Sequence, residues 1–343
     1  MKQAIITGER EAGITIVPTP QPKEDWVLVK IHSAPMCTEY KAFASGRPVP
    51  YLGHEAAGEV VEVAQPGAVR VGDRVAVMPQ YPCGLCDLCL AGEYIHCEHA
   101  VDFDSFTGSA DGRATMAQYV LKPDWMLVPI PDDVSYDHGA MACCGLGPTF
   151  GAFQQMQVDA YDTVLVSGLG PVGLGGVING SYCGARVIGA EPNPWRAEFA
   201  RTLGAEVVVD PTNPDALEQI MDLTDGKGVD KTVDCSGVPT AHRFCMDATR
   251  RKGKVAFVGE SGGADTPIKI STDMLRKGLW LIGAWHYNRS DASKLMQTIG
   301  RNGPKLDRFI SHSYPMEQIQ QAFETQLTGE CAKVVLKPWE ESA

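Results

Sequence analysis

The sequence contains no long hydrophobic run. No apolar stretch approaches the length of a membrane-spanning helix, about 18 residues or more, which argues against an integral membrane protein. Basic residues are in deficit, since 30 Lys and Arg against 42 Asp and Glu give a formal net charge of −12. This charge argues against nucleic acid or an anionic membrane surface as a partner. A signal-peptide core and cleavage site are missing after Met1, so we expect a soluble, cytoplasmic protein.

Cysteine and glycine, by contrast, are abundant, with 11 and 36 residues in a chain of 343. The length is sufficient for two domains with full hydrophobic cores. Glycine at this level is typical of nucleotide-binding turns and of irregular β domains. Clustered cysteines in a reducing compartment more often bind metal than form disulfides, so the sequence predicts metal sites.

A glycine-rich turn in the middle of the chain organises the rest. Residues 163–167 form a short apolar, β-branched run that indicates a buried strand, and residues 171–183 have helical spacing. Between them lies G-x-G-x-x-G, which in this order predicts a dinucleotide-binding unit. The glycines allow a tight turn, a close approach to a pyrophosphate and close helix–strand packing. The residues of the turn assigned to the coenzyme are Gly168, Gly170, Pro171, Val172 and Gly173.

An acidic residue at the end of the next strand specifies the coenzyme. Strand 185–190 ends at Glu191. The interval from Gly173 to Glu191 is close to the spacing of about 20 residues at which a carboxylate holds the ribose hydroxyls. A carboxylate there would repel the 2′-phosphate of NADP. The sequence therefore predicts NAD.

The two halves of the chain differ in pattern. Residues up to about 135 are short strands with Pro and Gly breaks, which indicates a β domain. Strands and helices alternate afterwards, which indicates a parallel sheet covered on both faces. The expected elements of the second half are strands 163–167, 185–190, 206–209, 229–235, 254–258, 279–283 and 332–336, and helices 171–183, 195–203, 214–223, 239–250, 291–299 and 316–327, with a turn at Gly303-Pro304.

Four cysteines form a compact cluster with the spacing C-x2-C-x2-C-x7-C. Four thiolates at such spacing suit a tetrahedral zinc with every position filled, so the site would be structural. An iron–sulfur cluster is the alternative, although nothing else in the sequence indicates electron transfer. The four residues are Cys83, Cys86, Cys89 and Cys97.

A second, dispersed metal site is indicated upstream. Residues His54 and Glu55 stand in a G-H-E-A-A-G run, and Cys37 precedes this run in the chain. Beside a nucleotide-binding domain, this combination predicts a Cys/His zinc site with one position open for substrate.

With these motifs the chain resembles the zinc-containing alcohol/polyol dehydrogenases of the medium-chain dehydrogenase/reductase family. The resemblance covers essentially the whole chain in order. Its most specific parts are the four-cysteine spacing and the G-H-E motif. The other matching segments are residues 72–75, 111–112 with 117–119, 168–173 and 331–336.

The resemblance implies an α/β fold in which a GroES-like catalytic domain (1–150 and 289–343, with a zinc lobe at 80–100) accompanies a Rossmann domain (151–288). It implies that Cys37 and His54 bind catalytic zinc, that Glu55 approaches the metal, and that the third ligand is Cys144, with Cys143 as the rival. The coenzyme residues it adds are Arg196, Val258, Gly259 and, near the pyrophosphate, Lys333.

The sequence departs from the family where Cys-x-Ser/Thr-Asp is usual, because the run here is Cys37-Thr38-Glu39-Tyr40. Glu39 replaces the hydroxyl that passes on the substrate proton, and Tyr40 replaces the carboxylate that orients the histidine ligand. We expect either Glu39, as general base, or Thr38 to take the proton. The alternative is that Glu39 binds a polar substrate or points away from the metal.

The expected activity is zinc-dependent hydride transfer between NAD and an alcohol: a polyol, a sugar or an amino-sugar-like secondary alcohol. Two carboxylates near the metal favour such substrates over a simple alkanol. The alternatives are a zinc-independent quinone or enoyl reductase of the same family and a catalytically silent protein that binds zinc and NAD. The resemblance further implies a homo-oligomer, a dimer or tetramer.

Overall fold

The computed structural model describes residues 1–340 and divides the chain into two compact units. Of the described residues, the first unit comprises 1–145 and 288–340, and the second comprises 146–287. The sequence predicted the first junction at residue 150, which lies inside a helix of the second unit. The division therefore comes slightly earlier in the chain, before that helix begins.

The first segment of unit 1 is mainly β structure with short helices. The strand at Trp26–Pro35 is buried over most of its length, and with the helix at Tyr40–Ser45 it contributes to a core that includes Val29, Ile31 and Phe43. The elements are β1 (Lys2–Gly8), β2 (Glu11–Ile16), β3 (Trp26–Pro35), α1 (Tyr40–Ser45), β4 (Ala56–Val63), β5 (Arg74–Val77), α2 (Asp87–Leu90), α3 (Phe103–Thr107), β6 (Tyr119–Pro123), β7 (Leu127–Pro129) and α4 (Tyr136–Ala140), with 3-10 turns at Tyr94–His96 and Asp124–Met126.

Unit 2 alternates helices and strands. Its elements are α5 (Gly147–Met156), β8 (Thr163–Ser167), α6 (Pro171–Tyr182), β9 (Arg186–Ala190), α7 (Pro194–Leu203), β10 (Val207–Val209), α8 (Ala216–Asp222), β11 (Val229–Asp234), α9 (Pro239–Ala248), β12 (Thr249–Phe257), a π-helix (Ile270–Arg276) and β13 (Trp280–Gly283). The strands form one parallel sheet in the order β10-β9-β8-β11-β12-β13. Three successive residues of β8, Val164 to Val166, are fully buried, as expected when helices cover both faces.

The chain then returns to unit 1 through a 3-10 turn (Arg289–Asp291), α10 (Ala292–Arg301), α11 (Gly303–Phe309), β14 (Ile310–Pro315), a second 3-10 turn (Met316–Gln318), α12 (Ile319–Thr328) and β15 (Lys333–Lys337). The sheet of unit 1 has the order β14-β15-β3-β4-β5-β7, and β6 also pairs with β3. Strand β15 is antiparallel to β3, with Val335 opposite Pro35.

The predicted fold class is confirmed, because a β-rich unit accompanies a doubly wound parallel sheet. Two elements near the end differ from the expectation. Gly303 and Pro304, where a turn was expected, begin helix α11, and proline is tolerated in a first turn because the N–H that it lacks would have no helical partner. Strand β14 (ISHSYP) was missed because its polar residues hide the apolar alternation. Among residues 1–340, none of the helices has the length and apolar character needed to cross a bilayer.

Candidate active site

Strands β3 and β4 bring the first two candidate ligands together. The strands are antiparallel neighbours, with Ser33 opposite Ala57, so the end of β3 and the start of β4 lie at the same edge of the sheet. Cys37 follows β3 and His54 precedes β4, both at this edge. Cys144, shortly after α4, joins them, and the ligand atoms of these residues and Glu55 all lie within 4.8 Å of one another.

The distances within this cluster suit a metal ion. The Nε2 atom of His54 lies 3.3 Å from Cys144 Sγ and 3.9 Å from Glu55 Oε1. Zn–S and Zn–N bonds of ordinary length, held tetrahedrally, separate sulfur and nitrogen by about 3.6 Å. The donor set of two thiols and an imidazole therefore fits zinc without rearrangement of the backbone.

The side chain of the neighbouring residue, Cys143, points away from this cluster. It is fully buried, and its Sγ donates to the carbonyl oxygen of Val77 at 3.1 Å. Burial raises the pKa of Cys143 to about 12, so the group stays a neutral thiol. The geometry thus groups Cys144, and not its rival Cys143, with Cys37 and His54.

Hydrogen bonds between the donors favour the thiolate of Cys37 and the protonated forms of Cys144 and His54. The hydrogen bond with Cys144 is the main cause that holds the pKa of Cys37 well below its usual range, and it raises the pKa of Cys144 correspondingly. Burial alone would lower the pKa of His54, but hydrogen bonds to Cys37 and Glu39 raise it well above the usual value. Cys37 is therefore the donor most ready to bind a cation, whereas binding by Cys144 and His54 would release protons.

Glu55 forms a buried ion pair with Lys333. The Nζ atom of Lys333 donates to Glu55 Oε1 at 2.8 Å, and both side chains have no exposed surface. Burial raises the pKa of Glu55 to about 8, opposed by the positive charge of Lys333. Oxygen Oε2 of Glu55 is buried without a hydrogen-bond partner within residues 1–340.

This environment of Lys333 differs from the expectation that its ammonium faces a coenzyme pyrophosphate. The side chain projects from β15 into the interior beside Glu55. Burial would lower the pKa of Lys333, but the charges of Glu55, Cys37 and Cys144 outweigh that effect and raise it. Lys333 is therefore a buried positive charge beside the candidate metal ligands.

Glu39 and Thr38 lie in the turn that leads into α1, and they face different surroundings. The carboxylate of Glu39 contacts His54 Nδ1 at 2.9 Å and accepts the backbone N–H of Cys37, also at 2.9 Å. Thr38 is exposed. Sequence reasoning assigned the histidine-orienting position to residue 40 and therefore missed the contact between Glu39 and His54. A carboxylate two residues after a ligand cysteine was the available signal.

The glycine turn of unit 2 has the geometry that the motif predicts. Gly168 has a positive φ of 81°, and Gly170 caps α6, with Pro171 and Val172 in its first turn. A Cβ on Gly173 would lie 1.9 Å from the carbonyl oxygen of Gly168, so only glycine fits there. The free N–H groups at the start of α6 suit a phosphate.

Glu191 reaches back to this turn. Its Oε2 accepts the N–H of Leu169 at 2.6 Å, and its Oε1 accepts the N–H of Asn193 at 3.0 Å. Arg196 lies in the first turn of α7, and its buried Nε has no hydrogen-bond partner within residues 1–340. The carboxylate is thus fixed beside the glycine turn at the end of β9.

Val258 and Gly259 follow β12, and their N–H groups donate to the carbonyl oxygen of Asp234 at the end of β11. A Cβ on Gly259 would lie 2.1 Å from the amide nitrogen of Gly237, so the two loops touch. In open parallel sheets, ligands bind outside the carboxyl ends of the strands, which is where these loops are located.

The four-cysteine cluster is compact. The Sγ–Sγ distances are 3.6 Å between Cys83 and Cys97, 3.9 Å between Cys86 and Cys97, and 4.0 Å between Cys83 and Cys89. Tetrahedral coordination of zinc by thiolates gives about 3.8 Å. The backbone N–H of Cys89 is the main cause that lowers the pKa of Cys86 to about 6, which favours its thiolate. The cluster therefore fits a closed zinc site.

Comparison with known proteins agrees with both halves of this description. Residues 23–132 match the alcohol dehydrogenase GroES-like domain, and residues 171–301 match the zinc-binding dehydrogenase family. These two matches define a zinc-dependent dehydrogenase that uses a nicotinamide coenzyme.

Individual relatives extend over nearly the full chain. The sequence is 31% identical to sorbitol dehydrogenase of Bacillus subtilis (strain 168), over 98% of this chain and 97% of the relative. It is also 31% identical to L-threonine 3-dehydrogenase of Pyrococcus horikoshii, over 93% and 92%. Alcohol dehydrogenase TADH from Thermus sp. ATN1 has the same fold, with a TM-score of 0.89, 23% identity and coverage of 98% and 99%.

The chain belongs to the zinc-containing alcohol/polyol dehydrogenases of the medium-chain dehydrogenase/reductase family. It is an oxidoreductase that acts on alcohol substrates, as the sequence predicted. Neither a zinc-independent reductase nor a catalytically silent protein is favoured by these relatives.

Proposed function

We propose that the chain is an NAD-dependent dehydrogenase that reversibly oxidises a polyol, a sugar or an amino-sugar-like secondary alcohol at zinc held by Cys37, His54 and Cys144. The observation that carries this proposal is the convergence of these donors with Glu55 within 4.8 Å of one another. Two thiols and one imidazole leave a fourth position for substrate, as catalytic zinc requires.

The side chains of the cluster have separate tasks. Cys37 and Cys144 supply sulfur, and His54 supplies its Nε2. When bound, zinc acts as a Lewis acid that lowers the pKa of an alcohol, while the nicotinamide accepts hydride. Oxygen Oε1 of Glu55 lies 3.9 Å from His54 Nε2, so in this proposal the carboxylate approaches the ion or accepts a hydrogen bond from a second hydroxyl or an ammonium group of the substrate. Lys333 holds the same oxygen and fixes the direction of the carboxylate.

Exposed Thr38 supplies the hydroxyl nearest in sequence to Cys37. In this proposal it accepts the proton that leaves the substrate and passes it to solvent, as a hydroxyl can donate and accept at once. The structural zinc is assigned to Cys83, Cys86, Cys89 and Cys97.

The preference for NAD depends on Glu191. Its carboxylate is fixed beside the glycine turn, where it would repel a 2′-phosphate. Arg196 offers an opposing feature, because its buried Nε would attract a phosphate. Because Glu191 and Arg196 act in opposite directions on a 2′-phosphate, kinetics with NAD and with NADP decide which side chain determines the coenzyme preference. The glycine turn, Val258 and Gly259 complete the proposed coenzyme site.

The substrate class is supported by charge and by the relatives. Glu55 places a second acceptor beside the open metal position, which favours a substrate with several donors. One relative is named for sorbitol and another for L-threonine, a polyol and an amino alcohol. Both carry a second polar donor beside the reacting carbinol.

We further propose that the enzyme is a cytoplasmic homo-oligomer. Strand β13 is an edge of the unit 2 sheet, and large apolar side chains are exposed beside it. Trp280 is 59% exposed, Ile270 is 58% exposed and Leu275 is 76% exposed. An exposed apolar edge of this kind favours association with a second copy.

The test is metal analysis and turnover on the purified protein. We expect about two zinc ions per chain, one for each donor set. Sorbitol or L-threonine should be oxidised with NAD, at a higher kcat/KM than a simple alkanol. NADP in place of NAD should lower kcat/KM by about tenfold or more, since one unfavourable charge contact of roughly 1.4 kcal/mol gives that factor. One zinc or none, or equal turnover of the alkanol, would contradict the proposal.

A further inference from the structure

Glu39 bridges two of the proposed zinc ligands. One oxygen, Oε1, lies 2.9 Å from His54 Nδ1, and the other, Oε2, accepts the backbone N–H of Cys37 at 2.9 Å. The side chain is only 12% exposed. A single carboxylate thus joins two ligands that are well separated in the sequence.

The local backbone explains how Glu39 reaches them. Glu39 caps the N-terminus of α1 with helical φ and ψ of −59° and −26°, and its carbonyl oxygen accepts the N–H groups of Ala42 and Phe43. Its side chain makes no capping hydrogen bond to the helix. The carboxylate is therefore free to fold back over Cys37 towards the start of β4.

This geometry disfavours the general-base role that the sequence predicted for Glu39. A base needs an oxygen directed at the alcohol on the metal, but both oxygens of Glu39 accept from other donors. The imidazole of His54 stands between Glu39 and the Nε2 side, where Cys144 and Glu55 lie. Tyr40, at the position where the family has its orienting carboxylate, packs against the hydrophobic core and cannot replace it.

We propose that Glu39 is a positioning residue that orients His54 and Cys37 for zinc. Nδ1 of His54 donates its proton to Glu39, which leaves the lone pair of Nε2 directed at the cluster. The hydrogen bond to the N–H of Cys37 holds the turn that carries the thiolate. The orienting carboxylate is therefore at position 39, where the family usually has a hydroxyl, and not at position 40, where the family usually has the carboxylate. This inference depends on the proposed function, because it requires zinc at Cys37, His54 and Cys144.

The experiment compares zinc retention at two sites in one protein. Glu39→Gln keeps the size of the side chain but leaves one acceptor oxygen for two donors. Outer carboxylates of this type change metal affinity by about 10- to 100-fold. We expect Glu39→Gln to lose that factor at the catalytic site when zinc is titrated with a chromogenic chelator. Zinc in the four-cysteine site of the same molecule should be retained as in the wild type.

Two further variants separate orientation from general disturbance. Glu62→Gln, an exposed position on β4, is the matched control and should retain both zinc ions. Glu39→Asp keeps two oxygens and should recover part of the lost affinity. Cobalt in the catalytic site gives a second readout, because a misdirected imidazole changes the visible absorption of the ion at equal occupancy.

The outcomes distinguish the two proposals. If Glu39→Gln keeps its zinc affinity but loses activity with a changed pH profile, Glu39 is a base and the positioning role is overturned. Unchanged affinity with unchanged activity overturns it as well. If the wild type itself binds no zinc at Cys37, His54 and Cys144, the proposed function fails, and the result for the variant is not needed to show it.

Discussion

Two fully enclosed lysines of unit 1 differ in charge state because their partners differ. Lys333 contacts the carboxylate of Glu55, which keeps it protonated. Among the residues that the structure describes, Lys122 on β6 donates only to the carbonyl oxygen of Gln80, and it lies 3.9 Å above the ring of Tyr81. Burial lowers the pKa of Lys122 to about 7. At neutral pH one lysine is therefore a fixed charge and the other is close to half neutral.

Lys122 predicts a pH dependence of stability. Its pKa is about 7 in the folded protein, and about 10.4 is usual in an unfolded chain. Between these values the unfolded state binds one more proton, so the free energy of unfolding rises with pH by up to about 1.4 kcal/mol per unit. Relative to the wild type, Lys122→Met should lack this rise and should gain most below pH 7. Denaturant unfolding from pH 6 to 9 measures the difference.

The difference between the stability curves of the wild type and Lys122→Met removes the contributions of the other titratable groups, including the cysteines. Parallel profiles for wild type and Lys122→Met would show that Lys122 keeps its ordinary pKa. An exposed lysine replaced in the same way, Lys41→Met in α1, is the control and should give parallel profiles.

At the residue scale, the sequence identified which side chains gather but not where they point. Spacing and residue type were sufficient for Cys37, His54 and the four-cysteine cluster, because metal binding restricts both. The direction of Glu39 depends on the turn into α1, and the burial of Lys333 depends on the late pairing of β15 with β3. Neither property is encoded within a few neighbouring residues, so neither was predicted.

The glycine turn and helix α6 form the element in which sequence and steric fit agree most closely. Glycine is required at positions 170 and 173 for different reasons. A Cβ on Gly173 would overlap the carbonyl oxygen of Gly168, whereas a Cβ on Gly170 would have no protein atom within 4 Å. The fold of the chain itself requires glycine at position 173. At position 170, only a bound ligand would require it.

This contrast predicts opposite effects of two alanines. Gly173→Ala should lower the free energy of unfolding without coenzyme by about 1–3 kcal/mol, the usual cost of overpacking. Gly170→Ala should leave that stability unchanged but weaken NADH binding by about tenfold or more, because its methyl group occupies the approach of the pyrophosphate. Calorimetric unfolding and NADH fluorescence titration measure the two effects. Full NADH affinity in Gly170→Ala would show that the coenzyme does not approach this glycine.

The elements of unit 2 were predicted more accurately than those of unit 1. A buried parallel strand is a continuous apolar run between turn residues, and each such run from β8 to β12 was recognised. Short helices such as α1 and α3 have five or six residues, too few for a period to be read. The π-helix at Ile270–Arg276 leaves its apolar residues exposed, so its pattern gave no signal.

At the scale of the whole molecule, the four-cysteine lobe is attached to the returning chain. Arg289 donates its backbone N–H to the carbonyl oxygen of Gly92. Asn288 donates to the carbonyl oxygen of Ala91 and to the carboxylate of Glu93, each at 2.8 Å. These residues begin the segment that re-enters unit 1 after unit 2. The lobe thus anchors the point of return as well as carrying the proposed structural zinc site.

Removal of the lobe metal should therefore affect stability beyond the lobe. Cys97→Ser should leave about one zinc per chain and lower the unfolding midpoint by about 5 °C or more, because the contacts with Asn288 and Arg289 lose their support. Cys183→Ser, at the end of α6, is the control and should keep about two zinc ions. Metal analysis with scanning calorimetry measures both. An unchanged midpoint after loss of one zinc would show that the lobe does not stabilise the return.

The sheet order of unit 1 also bears on how the protein is made. All the donors of the candidate catalytic cluster belong to the first segment of unit 1, whereas β15, which lies between β14 and β3 and carries Lys333, follows that segment and all of unit 2 in the chain. On the ribosome, Cys37, His54 and Cys144 emerge long before Glu55 meets its counter-charge, and folding proceeds in that direction. The nascent chain therefore exposes competent zinc ligands while its sheet still lacks an inner strand. We therefore expect the zinc supply during translation to affect the yield of folded enzyme, which expression at limiting and at sufficient zinc would measure.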